Sequence, residues 1–126
     1  MTVPEQWLEK AKYDIDTARA MLQAERYFYV LFCCQQAVEK SLKAIIAART
    51  KEMPPRLHNL LELATIAGVD PGKDQRALMR SLTNFYIHSR YPGTPEVGGA
   101  ADRPRAEDDL RKTEEMLQWL SDLNKM

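Results

Sequence analysis

Two short motifs carry most of the side chains in this 126-residue chain that could do chemistry. The first, QQAVEKSLKA, spans residues 35–44 within a long helical pattern. The second, YIHSRYPG, spans residues 86–93, where a later helix meets a proline. The sequence has no glycine-rich phosphate loop, no cluster of metal ligands and no obvious nucleophile, so neither a cofactor nor a metal is expected.

Three residues before and within the second motif could act on RNA. Arg80, Asn84 and His88 are spaced four residues apart, which at about 100° per residue places them within about 80° on one helix face. Cleavage by 2′-hydroxyl attack needs a proton-transfer group and a cation that steadies the phosphorane, roles that suit His88 and Arg80. The alternative is a solvated helix face, hydrogen-bonded across a dimer.

Arg90 and Tyr91 follow directly, at the predicted end of the same helix. In a ligand site, Arg90 would be a forked donor to phosphate and Tyr91 a stacking wall. In a purely structural role, Arg90 would pair with a carboxylate, with Glu39 and Asp14 as candidates, and Tyr91 would pack over the helix end.

The charged residues of the first motif also allow two interpretations. Glu39, Lys40 and Lys43 could line an interface or ligand cleft. They could equally form an exposed face with helical salt links worth about 0.3–0.5 kcal/mol each. His58, which follows a proline-rich turn, is interpreted as a hydrogen-bonding residue at a helix start rather than as a ligand.

Periodic apolar residues predict the elements that must position these groups. Five helices are expected and no strand. Caps and prolines place them at residues 4–24, 27–49, 59–67, 71–91 and 104–124. Gly68 is expected to end the third helix, Asp70 to cap the fourth and Pro92 to stop it. Long amphipathic helices joined by short turns favour one all-α domain over residues 1–126, an antiparallel up-and-down bundle of four long helices and one short one. Prolines and glycines predict a flexible loop over residues 92–104.

The second predicted helix begins with an apolar stretch, Tyr27 to Cys34, that surrounds the helix. A helix of this kind is buried on several sides, by its own bundle or by a second subunit, so we expect a homodimer. Later in this helix, Gln35, Glu39 and Lys43 are expected to form the polar stripe, with Glu39 and Lys43 ordered for an i,i+4 pair.

Composition excludes several classes of protein. The 18 basic and 18 acidic residues cancel, which argues against non-specific coating of DNA by bulk charge. The longest apolar run is far shorter than the roughly 20 residues that cross a bilayer, and the N-terminus lacks a signal-peptide pattern. Cys33 and Cys34 are adjacent in an apolar helix and indicate reduced packing residues, so a cytoplasmic protein is expected.

These motifs, in this order, resemble the HEPN domain, a small all-helical domain of prokaryotes that also occurs in some higher eukaryotes. The resemblance covers nearly the whole chain and is most specific at the second-helix motif and at the Arg-Tyr-Pro motif. The residues that carry it are Ala11, Asp14, Ala18, Leu22, Gln36 to Lys40, Leu42 to Ala44, His58, Asn59, Leu60, Leu63, Tyr86 and Arg90 to Pro92.

The resemblance implies an up-and-down bundle that pairs as a homodimer with a cleft at the interface. It also implies a small nucleotidyltransferase encoded nearby, with which the chain would form a toxin–antitoxin couple. Many members of the family are metal-independent ribonucleases, in which an Arg is followed by a His after four to six residues. In this chain seven residues separate Arg80 from His88, and one separates Arg56 from His58, so the nuclease spacing is not matched.

Three functions therefore stay open. The first is a homodimeric interaction or nucleotide-binding module that partners a nucleotidyltransferase. The second is a ribonuclease that uses Arg80 or Arg90 with His88. The third is a non-catalytic helical dimer that shares the fold alone.

Overall fold

Five α-helices and no strand are present in the described part of the computed structural model, which comprises residues 1–91 and 101–125. The predicted all-α bundle of four long helices and one short helix is confirmed. Residues 92–100 of the predicted flexible loop lie outside the described residues. The helices are α1 (Val3–Gln23), α2 (Tyr27–Thr50), α3 (Leu60–Ala67), α4 (Lys73–His88) and α5 (Arg103–Asn124).

Local capping chemistry explains several of the helix ends. Thr2 and Glu5 form a capping box at the start of α1, and the Asn59 side chain accepts from the backbone N–H groups of Leu61 and Glu62 at the start of α3. Gly68 ends α3 with φ +73°, as predicted for a glycine C-cap. Asp102 caps α5 by accepting from the N–H of Arg105.

The predicted bounds of the fourth helix are wrong at both ends. Asp70 was expected to cap it, but the Asp70 carboxylate binds Arg76 at 2.8 Å, and Gly72 is the N-cap. The Gly72 N–H donates instead to the side-chain oxygen of Gln75 at 2.8 Å. At the other end, α4 ends at His88, three residues before Tyr91, the predicted last residue ahead of Pro92.

Helix α2 is the central element, because it contacts each of the other four helices. An apolar stripe along it is almost completely buried. The same holds for the inner stripe of α4, where Leu82 is completely inaccessible and Leu78 and Phe85 are nearly so. The stripe of α2 comprises Leu31, Cys34, Val38, Leu42 and Ile45.

The first two turns of α2 are covered on one side by the bundle. Val30, Leu31 and Cys34 have no exposed surface, whereas Phe28 is 37% exposed and Tyr29 is 54% exposed. Burial on several sides, as predicted from the apolar composition, is therefore not achieved within a single chain.

Within the described residues, the helices are too short or too polar to cross a membrane.

Candidate functional site

The polar stripe of α2 lies inside the molecule. Gln35 is completely buried, and the exposed fractions of Glu39 and Lys43 are 4% and 6%. The i,i+4 pair is formed as predicted, with Lys43 Nζ 3.1 Å from Glu39 Oε2. The exposed-face alternative for Glu39, Lys40 and Lys43 is wrong for Glu39 and Lys43, because the other helices cover this flank of α2, whereas Lys40 is only partly buried.

Glu39 is the centre of this buried group. Its Oε1 lies 2.8 Å from Nδ1 of His58 and accepts a bond from Nε2 of Gln35 at 3.2 Å. Its Oε2 faces the Lys43 ammonium. A buried carboxylate with a counter-charge and two further partners satisfies the requirements for a charge removed from water.

His58 joins α2 to the segment before α3. The helix-start role expected for His58 belongs to Asn59, whereas the backbone carbonyl of His58 accepts from Gln35 Nε2 at 2.9 Å. An ionised carboxylate can only accept, so the Glu39 contact requires the proton on Nδ1 of His58 and leaves Nε2 as an acceptor when the ring is neutral. The His58 side chain is 47% exposed, so the ring reaches solvent.

Tyr86 connects His58 to the end of α4. The centres of the His58 and Tyr86 rings are 5.2 Å apart, and Phe32 of α2 packs on the same phenol ring at 5.3 Å. The Arg90 guanidinium lies 5.1 Å from the centre of that ring, and its Nη1 donates to the Tyr86 hydroxyl at 3.3 Å. We call Gln35, Glu39, Lys43, His58, Tyr86 and Arg90 the Glu39 cluster.

The carboxylate partners predicted for Arg90 are wrong. Glu39 binds Gln35, Lys43 and His58, and the carboxylate of Asp14 binds Lys40 at 2.5 Å. Lys40 therefore ties α2 to α1 and is not bonded into the Glu39 cluster. Lys43 is also held from α1, because its ammonium lies 5.5 Å from the centre of the Trp7 ring.

The residues predicted for RNA cleavage lie on another flank of α4. Arg80 is exposed, and Asn84 and His88 are partly buried. At about 100° per residue, Tyr86 is rotated well away from all three. The helix thus keeps the predicted trio on one flank and contributes to the Glu39 cluster from another. Tyr91, beyond the helix end, is 62% exposed.

An aromatic face that is exposed at Phe28 and Tyr29 borders the Glu39 cluster. Phe28 contacts Tyr29 at 5.1 Å and Phe85 at 5.2 Å between ring centres, and Phe32 lies one turn after Phe28 on the flank of α2 that leads to Glu39. We call Phe28, Tyr29, Phe32 and Phe85 the aromatic face. It combines rings from α2 and α4, and Tyr29 is more exposed than Phe28 or Phe85.

A separate cleft of about 670 Å³ lies between α4 and α5. Asp109 lines it and is held by Nε of Arg105 at 3.4 Å, while burial raises the pKa of that carboxyl and the Arg105 charge opposes the rise. Among the described residues, the cleft shares none of its lining with the Glu39 cluster.

The two cysteines offer no reactive thiol pair. Cys34 is completely buried, and burial raises its pKa to about 12, as expected for an inert packing residue. Cys33 is partly exposed, and burial also raises its pKa. No group of three or more possible metal ligands comes together in residues 1–91 and 101–125.

Sequence reasoning missed His58 and Tyr86 as members of the site. The signal that could have found them was the polar series of Gln35, Glu39 and Lys43 on a helix that is otherwise apolar on most sides. Such a series cannot face solvent if the helix is central, so it needs polar partners from other elements. Which partners meet it depends on the path of the chain after α2.

Comparisons with known proteins agree with this fold. The family model described as HEPN domain matches residues 4–123. TT1696 of Thermus thermophilus is similar in structure, with 29% identity, a TM-score of 0.81 and coverage of 97% of this chain and 98% of that one. ST0689, described as an archaeal HEPN homologue, has 24% identity, a TM-score of 0.78 and coverage of 98% and 99%. No curated protein matches the chain.

Proposed function

The chain belongs to the HEPN domain family, and on that premise we propose that it is a cytoplasmic, homodimeric module that binds a nucleotide and partners a small nucleotidyltransferase. The couple would work as a toxin–antitoxin system. The observation that carries this proposal is the Glu39 cluster, a satisfied polar group that reaches the surface beside exposed aromatic rings.

The aromatic face supports the homodimer. Phe28 and Tyr29 expose large rings next to each other, and such contiguous apolar surface marks interaction sites. A second copy seated there would cover the side of α2 that its own bundle leaves open. The groove between the two copies would then border Arg90 and Tyr91.

The predicted ligand residues divide into two roles in this proposal. Arg90 and Tyr91 are exposed and would contact the ligand, Arg90 through its guanidinium fork and Tyr91 through its ring. Glu39 and Lys43 are buried and would hold the neighbouring side chains in place. Lys40, paired with Asp14, would fix α1 against α2.

Tyr29→Glu tests the dimer, with Tyr13→Glu as the matched control. Both tyrosines are exposed on helices, Tyr13 at 74%, but Tyr13 lies on α1 and outside the aromatic face. Light scattering should give the mass of two chains for the wild type and the Tyr13 variant, and of one chain for the Tyr29 variant. A single-chain mass for the wild type would refute the homodimer.

Co-expression with the neighbouring reading frame tests the partner. We expect that frame to encode a small nucleotidyltransferase, that the two proteins co-purify, and that expression of one alone changes growth in a way that the other reverses. Failure to co-purify from a shared operon would leave a plain helical dimer.

The ribonuclease alternative is supported by the placement of Arg80, Asn84 and His88 along one flank of α4. It requires that strong induction slows growth, that purified protein cleaves RNA without metal, and that His88→Ala abolishes both effects. Normal growth and intact RNA would exclude it.

A further inference from the structure

We propose that His58 is a phosphate-binding residue of this chain and that it takes up a proton when a phosphate monoester binds beside Arg90. The inference rests on the proposed nucleotide-binding function and adds a residue, a ligand group and a linked proton to it. It comes from the way Glu39 orients the His58 ring.

The orientation of the ring leaves one nitrogen for a ligand. Nδ1 of His58 is occupied by Glu39 Oε1 at 2.8 Å, and the half-exposed ring presents Nε2 on its far edge. The Tyr86 ring, 5.2 Å away, packs against the imidazole. The hydrogen bond to the carboxylate sets which ring nitrogen carries the proton, and the aromatic neighbour supports the ring in this position.

The protonation state of His58 determines what its Nε2 can bind. With the proton on Nδ1, Nε2 of a neutral ring accepts hydrogen bonds, and phosphate oxygens are also acceptors. A phosphate can therefore engage this edge when Nε2 gains a proton and becomes a charged donor. Phosphate binding and proton uptake are thereby coupled.

The charges around His58 favour an anionic ligand. Four groups with titratable or charged side chains surround the ring or contact its neighbours: Glu39 and Lys43 from α2, and Tyr86 and Arg90 from the α4 end. The Glu39 carboxylate and the Lys43 ammonium offset each other, so a protonated His58 and Arg90 add positive charge that a phosphate dianion would neutralise.

Arg90 is the second proposed ligand residue at the Tyr86 ring. Both side chains pack on the Tyr86 ring, and Arg90 Nη1 donates to the Tyr86 hydroxyl. That contact uses one edge of a guanidinium that carries five donors, and its remaining donors suit a planar, bidentate contact with phosphate oxygens.

Calorimetry with AMP and, separately, with inorganic phosphate tests the proposal on the full chain. Each titration is run in two buffers with different ionisation enthalpies, because a difference in apparent binding enthalpy measures proton uptake. For the wild type we expect binding with net proton uptake. His58→Gln should weaken AMP binding by about tenfold or more and remove the uptake. Arg90→Gln should weaken binding while uptake persists.

Two controls separate the ligand role from folding. Arg111→Gln removes an exposed helical arginine of α5 and should leave both affinity and proton uptake unchanged. Nitrogen NMR of the wild-type histidines should show Nε2 of His58 change on addition of phosphate, a readout that does not depend on any variant. Each variant is compared with the wild type by its helical circular dichroism.

The outcomes distinguish this inference from the proposed function. AMP binding that keeps its affinity and proton uptake in His58→Gln would overturn the inference and leave the nucleotide-binding proposal in place. No binding of AMP or phosphate, with no change at His58 Nε2, would overturn the inference and the nucleotide-binding role together. The dimer and the nucleotidyltransferase complex would then still be decided by their own experiments.

Discussion

Helices α2 and α5 each carry an i,i+4 salt bridge, buried on α2 and exposed on α5. Glu39 and Lys43 on α2 form an i,i+4 pair at 3.1 Å, and Asp108 and Lys112 on α5 form one at 2.7 Å. The α2 side chains are 8% exposed or less, whereas those of the α5 pair are about half exposed, at 45% and 48%. The distance between the charged atoms therefore does not show how much a pair contributes to stability. The burial of the pair determines how much the free energy of unfolding falls when one member is removed.

The physical reason is the fate of the partner that remains. On α5, a lysine that loses Asp108 returns to water at little cost. On α2, a lysine that loses Glu39 stays in the interior as an uncompensated charge beside Trp7. Glu39 also binds Gln35 of the same helix and His58, so its removal breaks the link between α2 and the segment before α3.

The largest effect is expected for Glu39→Ala. It leaves the buried Lys43 ammonium without a counter-charge and should lower the free energy of unfolding by about 3–5 kcal/mol. Urea denaturation measures the loss. Asp108→Ala on α5 is the matched control, with an expected loss under about 1 kcal/mol. Equal losses for the two variants would show that burial does not distinguish the pairs.

Replacing both members of the α2 pair should cost less than replacing Glu39 alone. Glu39→Leu combined with Lys43→Met fills the space with apolar side chains and leaves no unpaired charge between them, and such swaps of buried pairs are often near neutral. The unsatisfied Nδ1 of His58 and amide of Gln35 should leave a loss of about 1–3 kcal/mol. A double variant that is less stable than Glu39→Ala would contradict this account.

The α5 pair should show a small, salt-sensitive coupling. A double-mutant cycle with Asp108→Ala and Lys112→Ala is expected to give about 0.3–0.5 kcal/mol at low salt. Because both side chains are exposed, high salt should reduce the coupling further, while the effect of Glu39→Ala should persist. A coupling free energy as large as the loss of stability in Glu39→Ala would show that this exposed pair stabilises the protein as much as the buried pair does.

The pKa values of two adjacent aspartates of α5 should lie on opposite sides of the ordinary value of 3.8. The pKa of Asp108 should be lower and that of Asp109 higher. Hydrogen bonds from Lys112 and Arg111 lower the pKa of Asp108, so its contribution to stability is present above pH 3.8 and is lost as the pH falls through its folded pKa. Burial raises the pKa of Asp109, so its ionisation opposes folding as the pH rises from 3.8 through its folded pKa.

Carboxyl carbon NMR measures both titrations in one experiment. Asp109→Asn should remove the higher of the two transitions and leave the Asp108 transition in place. Equal pKa values for Asp108 and Asp109 would show that their environments are equivalent. That result would contradict the difference in burial between the two carboxyl groups.

Most of the fold could be predicted from the sequence, because helix periodicity and caps are local. The inner residues of α2 and α4, the Gly68 cap and the end of α5 at Asn124 all follow from spacing and turn chemistry. The start of α4 was missed because Asp70 has two local partners to choose from, the helix N–H groups and the Arg76 guanidinium. The residue types alone do not show which of these two contacts of Asp70 is more favourable.

The candidate site was predicted in part. Glu39, Lys43 and Arg90 were singled out, and the structure links Glu39 to Arg90 through His58 and Tyr86. The Arg80, Asn84 and His88 assignment rests on a helix face alone and stays a prediction. The contact between His58 and Glu39 was not predicted because the two residues lie 19 positions apart in the chain, a separation that helix periodicity does not relate.

The sequence by itself determined where helices form and which residues of each are apolar, since these properties depend on neighbours within about one turn. Only the tertiary structure decided that α2 is covered along its polar flank as well as its apolar one. That placement removed the polar flank of α2 from water and obliged Glu39 to find partners in His58, Gln35 and Lys43. Solvent access to a charge is a property of the assembled bundle, so no spacing along the chain encodes it.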